Sequence, residues 1–188
     1  EELKSLAKAD GIEDMQSYDH TFYAEKLRKQ KFDIDDEELK PYFQLEKVQE
    51  AVFGLAGTLF GLEFKEINDV QKYHEEVKTY EVWEVGGQKS KVSSELKASD
   101  TQLPTSDFKA LLYADYFPRK GKRAGAWMTS FKNQFRKNGE NNSPHISVVC
   151  NFSKPITIGS SSDTPSLLTF QEVTTLFHEF GHALHGVL

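Results

Sequence analysis

Two histidines and a glutamate in the run His178-Glu179-Phe180-Gly181-His182 have the types and spacing of a metal site. On a helix, residues four apart lie one turn apart on the same face, so both imidazoles can reach one tetrahedral ion at about 2.0–2.1 Å. Glu179 lies about 100° around the helix from His178. There its carboxylate is not a ligand but can accept a proton from a metal-bound water. The pattern therefore predicts zinc-dependent peptide hydrolysis, with His178 and His182 as ligands and Glu179 as general base.

A third metal ligand is not evident in the sequence. His185 would lie about 10.5 Å along the helix axis from His178, so one small ion cannot readily contact both. The longer pattern H-E-x-x-H-x-x-G-x-x-H would place Gly at position 185 and His at 188, where this sequence has His185 and Leu188. The upstream alternatives are His74, His145, Asp163 and Glu172. Each is more simply explained as a surface, loop or cap residue, so we expect the third ligand beyond Leu188.

The segment that carries the motif has strong helix signals. Thr169 and Glu172 fit a capping box, in which the threonine hydroxyl caps a backbone N–H and the glutamate reaches back to the cap residue. Leu168 and Val173 are placed to form a hydrophobic staple. A helix is therefore predicted over residues 169–187, starting at about Phe170.

This helix is predicted to bury one stripe and to expose the histidines at its edge. The expected stripe is Val173, Phe177, Phe180, Leu184 and Val187. His178, His182 and His185 fall beside it, where a cleft would lie. Gly181 indicates close approach by another backbone or a ligand, because a helical glycine costs about 1 kcal/mol relative to alanine.

The rest of the chain predicts helices first and a small sheet afterwards. Helical spacing or helix-start signals are found over residues 18–30, from Asp35, and over 42–60, where Gly61 ends the helix. Strand signals are found over residues 77–85, 108–117 and 146–150. Gln88 to Asp107 and 132–144 are polar connections, and 159–163 is another loop. The expected fold class is α+β, mostly helical with a small β-sheet.

Composition excludes several classes of partner. The net charge of −6 gives no basic surface for nucleic acid or an anionic membrane. No stretch approaches the roughly 18 apolar residues of a membrane span. The single cysteine, Cys150, cannot form an intrachain disulfide and lies in an apolar run, so we expect a buried thiol. We therefore expect a cytoplasmic protein. Because Glu1 is not a methionine and the last residues are helix-patterned, we expect the sequence to be an internal segment.

Four stretches, in this order, resemble the M3 metallopeptidases, the group of thimet oligopeptidase, oligopeptidase A and peptidyl-dipeptidase. They are KPYF at 40–43, YFPRKGKRAGAWM at 116–128, VCNFSKP at 149–155 and LLTFQEVTTLFHEFGHALHG at 167–186. The resemblance implies a gluzincin catalytic domain that borders a deep channel. It implies that His178 and His182 bind zinc, that Glu179 is the catalytic base, and that a glutamate on the following helix is the third ligand. Substrates would be short peptides, and the VCNF stretch favours the peptidyl-dipeptidase branch.

We expect residues 1–188 to be part of one catalytic domain. Its parts would be a helical segment at 1–61, a small sheet with polar loop insertions at 62–165, and the zinc-site helix. The chain alone is expected to be inactive, because two imidazoles hold zinc more weakly than three ligands, and zinc may be absent from it. The residues 125–127 and 146–152 are candidates to border the substrate through a strand edge. Two alternatives stay open: a non-catalytic peptide-binding or structural domain with a relic motif, and a different metal-dependent hydrolase.

Overall fold

The computed structural model describes residues 1–32, 36–85, 106–157 and 163–188. The predicted polar connection from Gln88 lies outside these ranges except for its last two residues, and so does most of the predicted loop at 159–163. The described residues form two compact units, Glu1–Pro41 and Tyr42–Leu188. No helix within the described ranges is both long and apolar enough to cross a membrane. The predicted single catalytic domain stays a prediction.

The first unit is helical. It contains α1 (Glu2–Ala9), α2 (His20–Phe32) and α3 (Asp36–Leu39). Ion pairs from Lys26 to Asp10 and from Lys31 to Glu2 join α1 and α2. The helix predicted at 18–30 thus begins and ends two residues later than expected.

The second unit begins with a helix that is covered on one side only. After a 3-10 turn at Lys40–Tyr42, α4 runs over Leu45–Phe60. Gly61 ends it as predicted, in the left-handed conformation with φ 66° and with its N–H donated to Gly57 O at 2.9 Å. Leu45, Val48, Val52 and Ala56 are buried. Leu55 and Leu59, which also fit the apolar spacing, are exposed instead.

A mixed five-stranded sheet follows α4, in the order β1-β2-β3-β7-β4. Its strands are β1 (Leu62–Ile67), β2 (Lys78–Val85), β3 (Ser106–Asp115), β4 (Trp127–Lys132) and β7 (His145–Val149). Pairs of neighbours are antiparallel except β3 and β7, which are parallel, with Leu112 opposite Ile146. The three predicted strands are confirmed within two residues at each end, and β1 and β4 were not predicted.

Two small antiparallel pairs complete the second unit. One is β5 (Phe135–Lys137) with β6 (Glu140–Asn142), and the other is β8 (Ile156–Thr157) with β9 (Asp163–Thr164). Asn138 and Gly139 join β5 to β6 with positive φ at both residues, 54° and 84°. An Asn-Gly pair is the usual sequence of such a two-residue hairpin turn. The polar connection expected at 132–144 is therefore partly a hairpin.

The final helix, α5, runs over Phe170–Val187 and packs with α4 against one face of the sheet. Phe180 contacts the stacked rings of Phe53 in α4 and Phe64 in β1, with centroid distances of 5.6 and 5.7 Å. The buried apolar residues of α5 are Leu176, Phe180, Ala183 and Val187. The predicted stripe was wrong at Phe177, which is 39% exposed, and right at Phe180 and Val187. The architecture confirms the α+β class.

Candidate metal and catalytic site

The start of α5 is fixed by its capping box and by backbone bonds to the start of α4. Glu172 N–H donates to Thr169 Oγ1 at 3.1 Å, and Thr169 N–H donates to the Glu172 carboxylate at 2.7 Å. Leu168 is buried, and its N–H donates to Phe43 O at 2.8 Å. These bonds satisfy N–H groups that a helix terminus leaves without partners. The helix therefore begins at the predicted residue. The segment that precedes it fixes how the helix is rotated about its own axis.

Further along α5, the helix backbone comes close to the sheet at Gly186. A Cβ built on Gly186 would lie 2.9 Å from Cδ1 of the buried Ile146 in β7. Glycine is needed there to let the helix approach the strand. Gly181, where such an approach was predicted, is exposed, and no described residue lies within 4 Å of a Cβ built on it.

His178 and His182 lie together on the exposed side of α5. Their Nε2 atoms are 3.1 Å apart, and the ring planes are at 84° to each other. Two nitrogen ligands at about 2.0–2.1 Å from a tetrahedral ion are about 3.3 Å apart. The separation of the two nitrogens therefore fits two ligands of one zinc ion.

Glu179 lies on a different side of the helix from the histidines. It is buried, with 9% of its surface exposed. Among the described residues, none gives its carboxylate a hydrogen bond or an ion pair. Burial raises the pKa of the Cys150 thiol to about 12, and the negative charge of Glu179 contributes to that rise. Glu179 therefore lies on the buried side of α5, and its charge acts on Cys150, the residue that follows β7.

The upstream candidates for a third ligand do not reach the histidines. Glu172 is engaged in the capping box. His74 lies beside Glu76, with Nδ1 3.9 Å from the carboxylate. His145 lies on the opposite face of the sheet, and the side chain of Asp163 falls outside the described part. Among the described residues no group of three or more His, Cys, Asp or Glu side chains is placed to hold a metal ion.

That opposite face of the sheet carries a cavity of about 850 Å³. It is lined by the rings of Tyr73, Tyr113, Phe131 and His145, which contact one another through Tyr113. Burial is also the main cause that raises the pKa of Tyr73, to about 12. The sheet therefore separates this cavity from α5 and from the two zinc-spaced histidines.

The edge of the sheet beside α5 is β4. It is the outermost strand beside β7, with Trp127 opposite Val149, and α5 packs against both strands. In such an edge strand alternate N–H and C=O groups point away from the sheet. The predicted substrate border at 125–127 therefore lies at the start of an edge strand, whereas β7 is a central strand.

The comparison with protein-family models matches residues 1–188 to Peptidase family M3. The chain belongs to this family. It is 39% identical over 183 residues to a dipeptidyl carboxypeptidase of Escherichia coli, covering 97% of this chain and 23% of that protein. It is 34% identical over 189 residues to oligopeptidase A of Escherichia coli, covering 100% and 24%.

A plant relative of this M3 chain is similar to the same extent. A probable cytosolic oligopeptidase A of Arabidopsis thaliana is 39% identical over 197 residues, covering 100% of this chain and 25% of that protein. The chain thus spans about a quarter of the length of the curated relatives it matches.

Proposed function

We propose that this chain contributes the zinc-binding helix of a peptidase that acts on short peptides. The observation that carries the proposal is the convergence of His178 and His182, with Nε2 atoms 3.1 Å apart, beside the buried Glu179. Membership of Peptidase family M3 and the names of the relatives support it. The cleavage would be that of a peptidyl-dipeptidase or an oligopeptidase.

His178 and His182 would hold the zinc ion through Nε2, with a glutamate beyond Leu188 as third ligand. Zinc held there would polarise the scissile carbonyl and lower the pKa of the attacking water from about 15.7 to about 7. An imidazole binds a metal ion through a nitrogen that carries no proton. Acid conditions would therefore release the metal, because protons would compete for these nitrogens.

Glu179 would act as general base and then as general acid. Its carboxylate would accept a proton from the attacking water and pass it to the amine that leaves. No described residue pairs with this carboxylate, so it is available for proton transfer.

The start of β4 would bind the peptide. An extended peptide can add as a further strand to a free sheet edge through main-chain hydrogen bonds. Such binding places no demand on side-chain identity, which suits an enzyme that accepts many short peptides. Residues 125–127 would then border the substrate next to Glu179.

The test uses a protein of full family length that contains this chain, with a short fluorogenic peptide as substrate. Glu179→Gln should lower kcat by at least about 100-fold with zinc content unchanged, because it removes the base and keeps the shape. Glu140→Gln, the same change at an exposed position, is the matched control and should keep full activity.

Near-normal hydrolysis by Glu179→Gln would exclude the proposed role of Glu179. A wild-type protein that binds zinc but hydrolyses no short peptide would favour the non-catalytic alternative, and cleavage of non-peptide substrates alone would favour the other hydrolase class. The 188-residue chain by itself is expected to show no turnover. The predicted cytoplasmic location stays a prediction.

A further inference from the structure

Asn151, the second residue after β7, holds the turn that leads into β4. Its side-chain Nδ2 donates to Arg123 O at 3.0 Å and to Gly125 O at 2.7 Å. An amide NH2 group has two donor hydrogens, and both are used here. The held turn, residues 121–126, has glycines with positive φ at both ends, 84° at Gly121 and 98° at Gly125. Its shape therefore depends on bonds from outside the turn.

A second contact fastens the same turn to the same place. The Lys122 side chain is 4% exposed, and its ammonium group donates to the carbonyls of Phe117 and Cys150 and to the Asp115 carboxylate. Arg119 also donates to Asp115, at 2.7 and 2.9 Å. Lys122 thus holds the turn close to the end of β7. Asn151 fixes the path of the backbone from Arg123 to Gly125.

Glu179 belongs to the helix that packs against β7 and β4, and it is buried. Its negative charge also contributes to the raised pKa of Cys150, the residue before Asn151. Gly186, seven residues further along α5, lies against Ile146 in β7 and Met128, the second residue of β4. The second half of α5, which carries Glu179, thus packs along β7 and the start of β4.

We propose that Asn151 is a positioning residue for the peptide substrate. It fixes the carbonyls of Arg123 and Gly125, and with them the first residues of β4, so that the outer edge of this strand presents its hydrogen-bonding groups beside the second half of α5, which carries Glu179. The proposal rests on the proposed peptidase function. Asn151 itself does not touch the reacting atoms.

The first measurement is a separation of KM from kcat in the full-length zinc enzyme. Asn151→Ala removes both donors, and Asn151→Asp keeps the shape but places an acceptor against two carbonyl oxygens. Each variant should raise KM for a short peptide about five- to tenfold, the effect of about one hydrogen bond, with kcat within about twofold. Asn68→Asp, the same charge change at an exposed residue, should leave both constants unchanged.

The second measurement tests whether the effect passes through the substrate backbone. In a series of peptides, each amide next to the scissile bond is replaced in turn by an ester, which removes one N–H donor. In the wild type, one position should lower kcat/KM by about fivefold. In both Asn151 variants the ratio of kcat/KM for the amide peptide to that for the ester peptide should approach one. The reason is that the hydrogen bond between the peptide N–H and β4 is already weakened in these variants.

The ratio of amide to ester peptide is measured within one preparation, so it does not depend on the fraction of folded enzyme. An equal ester penalty in the wild type and the variants would overturn the proposal, as would a wild type with no penalty at any position. Loss of kcat with unchanged KM would also overturn it. A wild type that hydrolyses no peptide would refute the proposed function itself, which separates the two failures.

Discussion

Replacing Gly186 by alanine should destabilise the chain, although alanine is the better helix former. The added Cβ would lie 2.9 Å from Cδ1 of Ile146, well inside the optimal separation of about 3.5–4.0 Å. Ile146 is 1% exposed, so its Cδ1 can shift only within the buried core. Overpacking of this kind costs about 1–3 kcal/mol. The helix-propensity gain is about 0.8–1 kcal/mol at most, and less here because α5 ends at Val187.

Gly181→Ala is the matched control in the same helix. No described residue lies within 4 Å of its added Cβ, so only the propensity gain of up to about 1 kcal/mol remains. The difference between the two variants therefore isolates the steric cost at Gly186. Urea denaturation should show a lower midpoint for Gly186→Ala and a higher one for Gly181→Ala, with unchanged slopes.

A double variant tests the assigned cause. Ile146→Val removes the Cδ1 atom and by itself should cost about 0.5–1.5 kcal/mol. Combined with Gly186→Ala, it should recover at least about 1 kcal/mol relative to the sum of the single effects, because the new Cβ occupies the vacated space. Additive free energies of unfolding, or a Gly186→Ala variant as stable as Gly181→Ala, would show that this contact does not set the helix position.

Two further predictions concern stability. Thr169→Ala should lower the free energy of unfolding by about 1 kcal/mol, because it leaves the Glu172 N–H without its hydrogen-bond acceptor. The measurement is urea denaturation. The control is Thr174→Ala, the same substitution at an exposed position within α5. Asp115→Asn should cost about 3–5 kcal/mol, since it leaves the buried Lys122 side chain without its anion. Burial raises the pKa of Asp115, but hydrogen bonds from Arg119 and Lys122 outweigh it, and the pKa is lowered. The stabilisation is thus present above the unfolded pKa of about 3.9 and lost as pH falls through the lowered folded value, so wild-type stability should fall more steeply than that of the variant below about pH 4.

The zinc-spaced helix could be predicted because its signals are local. The capping box at 169–172 and the histidine pair at 178–182 each lie within about one helical turn, and the structure has both as expected. The phase of the buried stripe could not be predicted as well, because Leu176 and Phe177 both fit a helical period. Contact with α4, β1 and β7 decides in favour of Leu176, and that contact is between residues distant in sequence.

Long-range pairing also explains what was missed in the sheet and at the site. Trp127 to Lys132 has polar residues at Thr129, Ser130 and Lys132 and lacks clear alternation, so only its pairing with β7 identifies it as a strand. The sequence interpretation included Asn151 only within the VCNF stretch and the candidate substrate border at 146–152, and it did not predict its bonds to the turn before β4. An asparagine just after a strand is compatible with any turn, and its two acceptors come from residues 123 and 125.

The position of β7 within the sheet has a consequence for synthesis of the chain. β7 is the last of the five strands in sequence, yet it lies between β3 and β4. Until residue 149 has left the ribosome, the edge of β3 that later pairs with β7 has no strand beside it. The backbone N–H and C=O groups on both edges of β4 are also unpaired at that stage. Exposed strand edges of this kind favour association between chains. The nascent protein is therefore expected to need protection most while residues 106–144 are outside the ribosome and β7 is not.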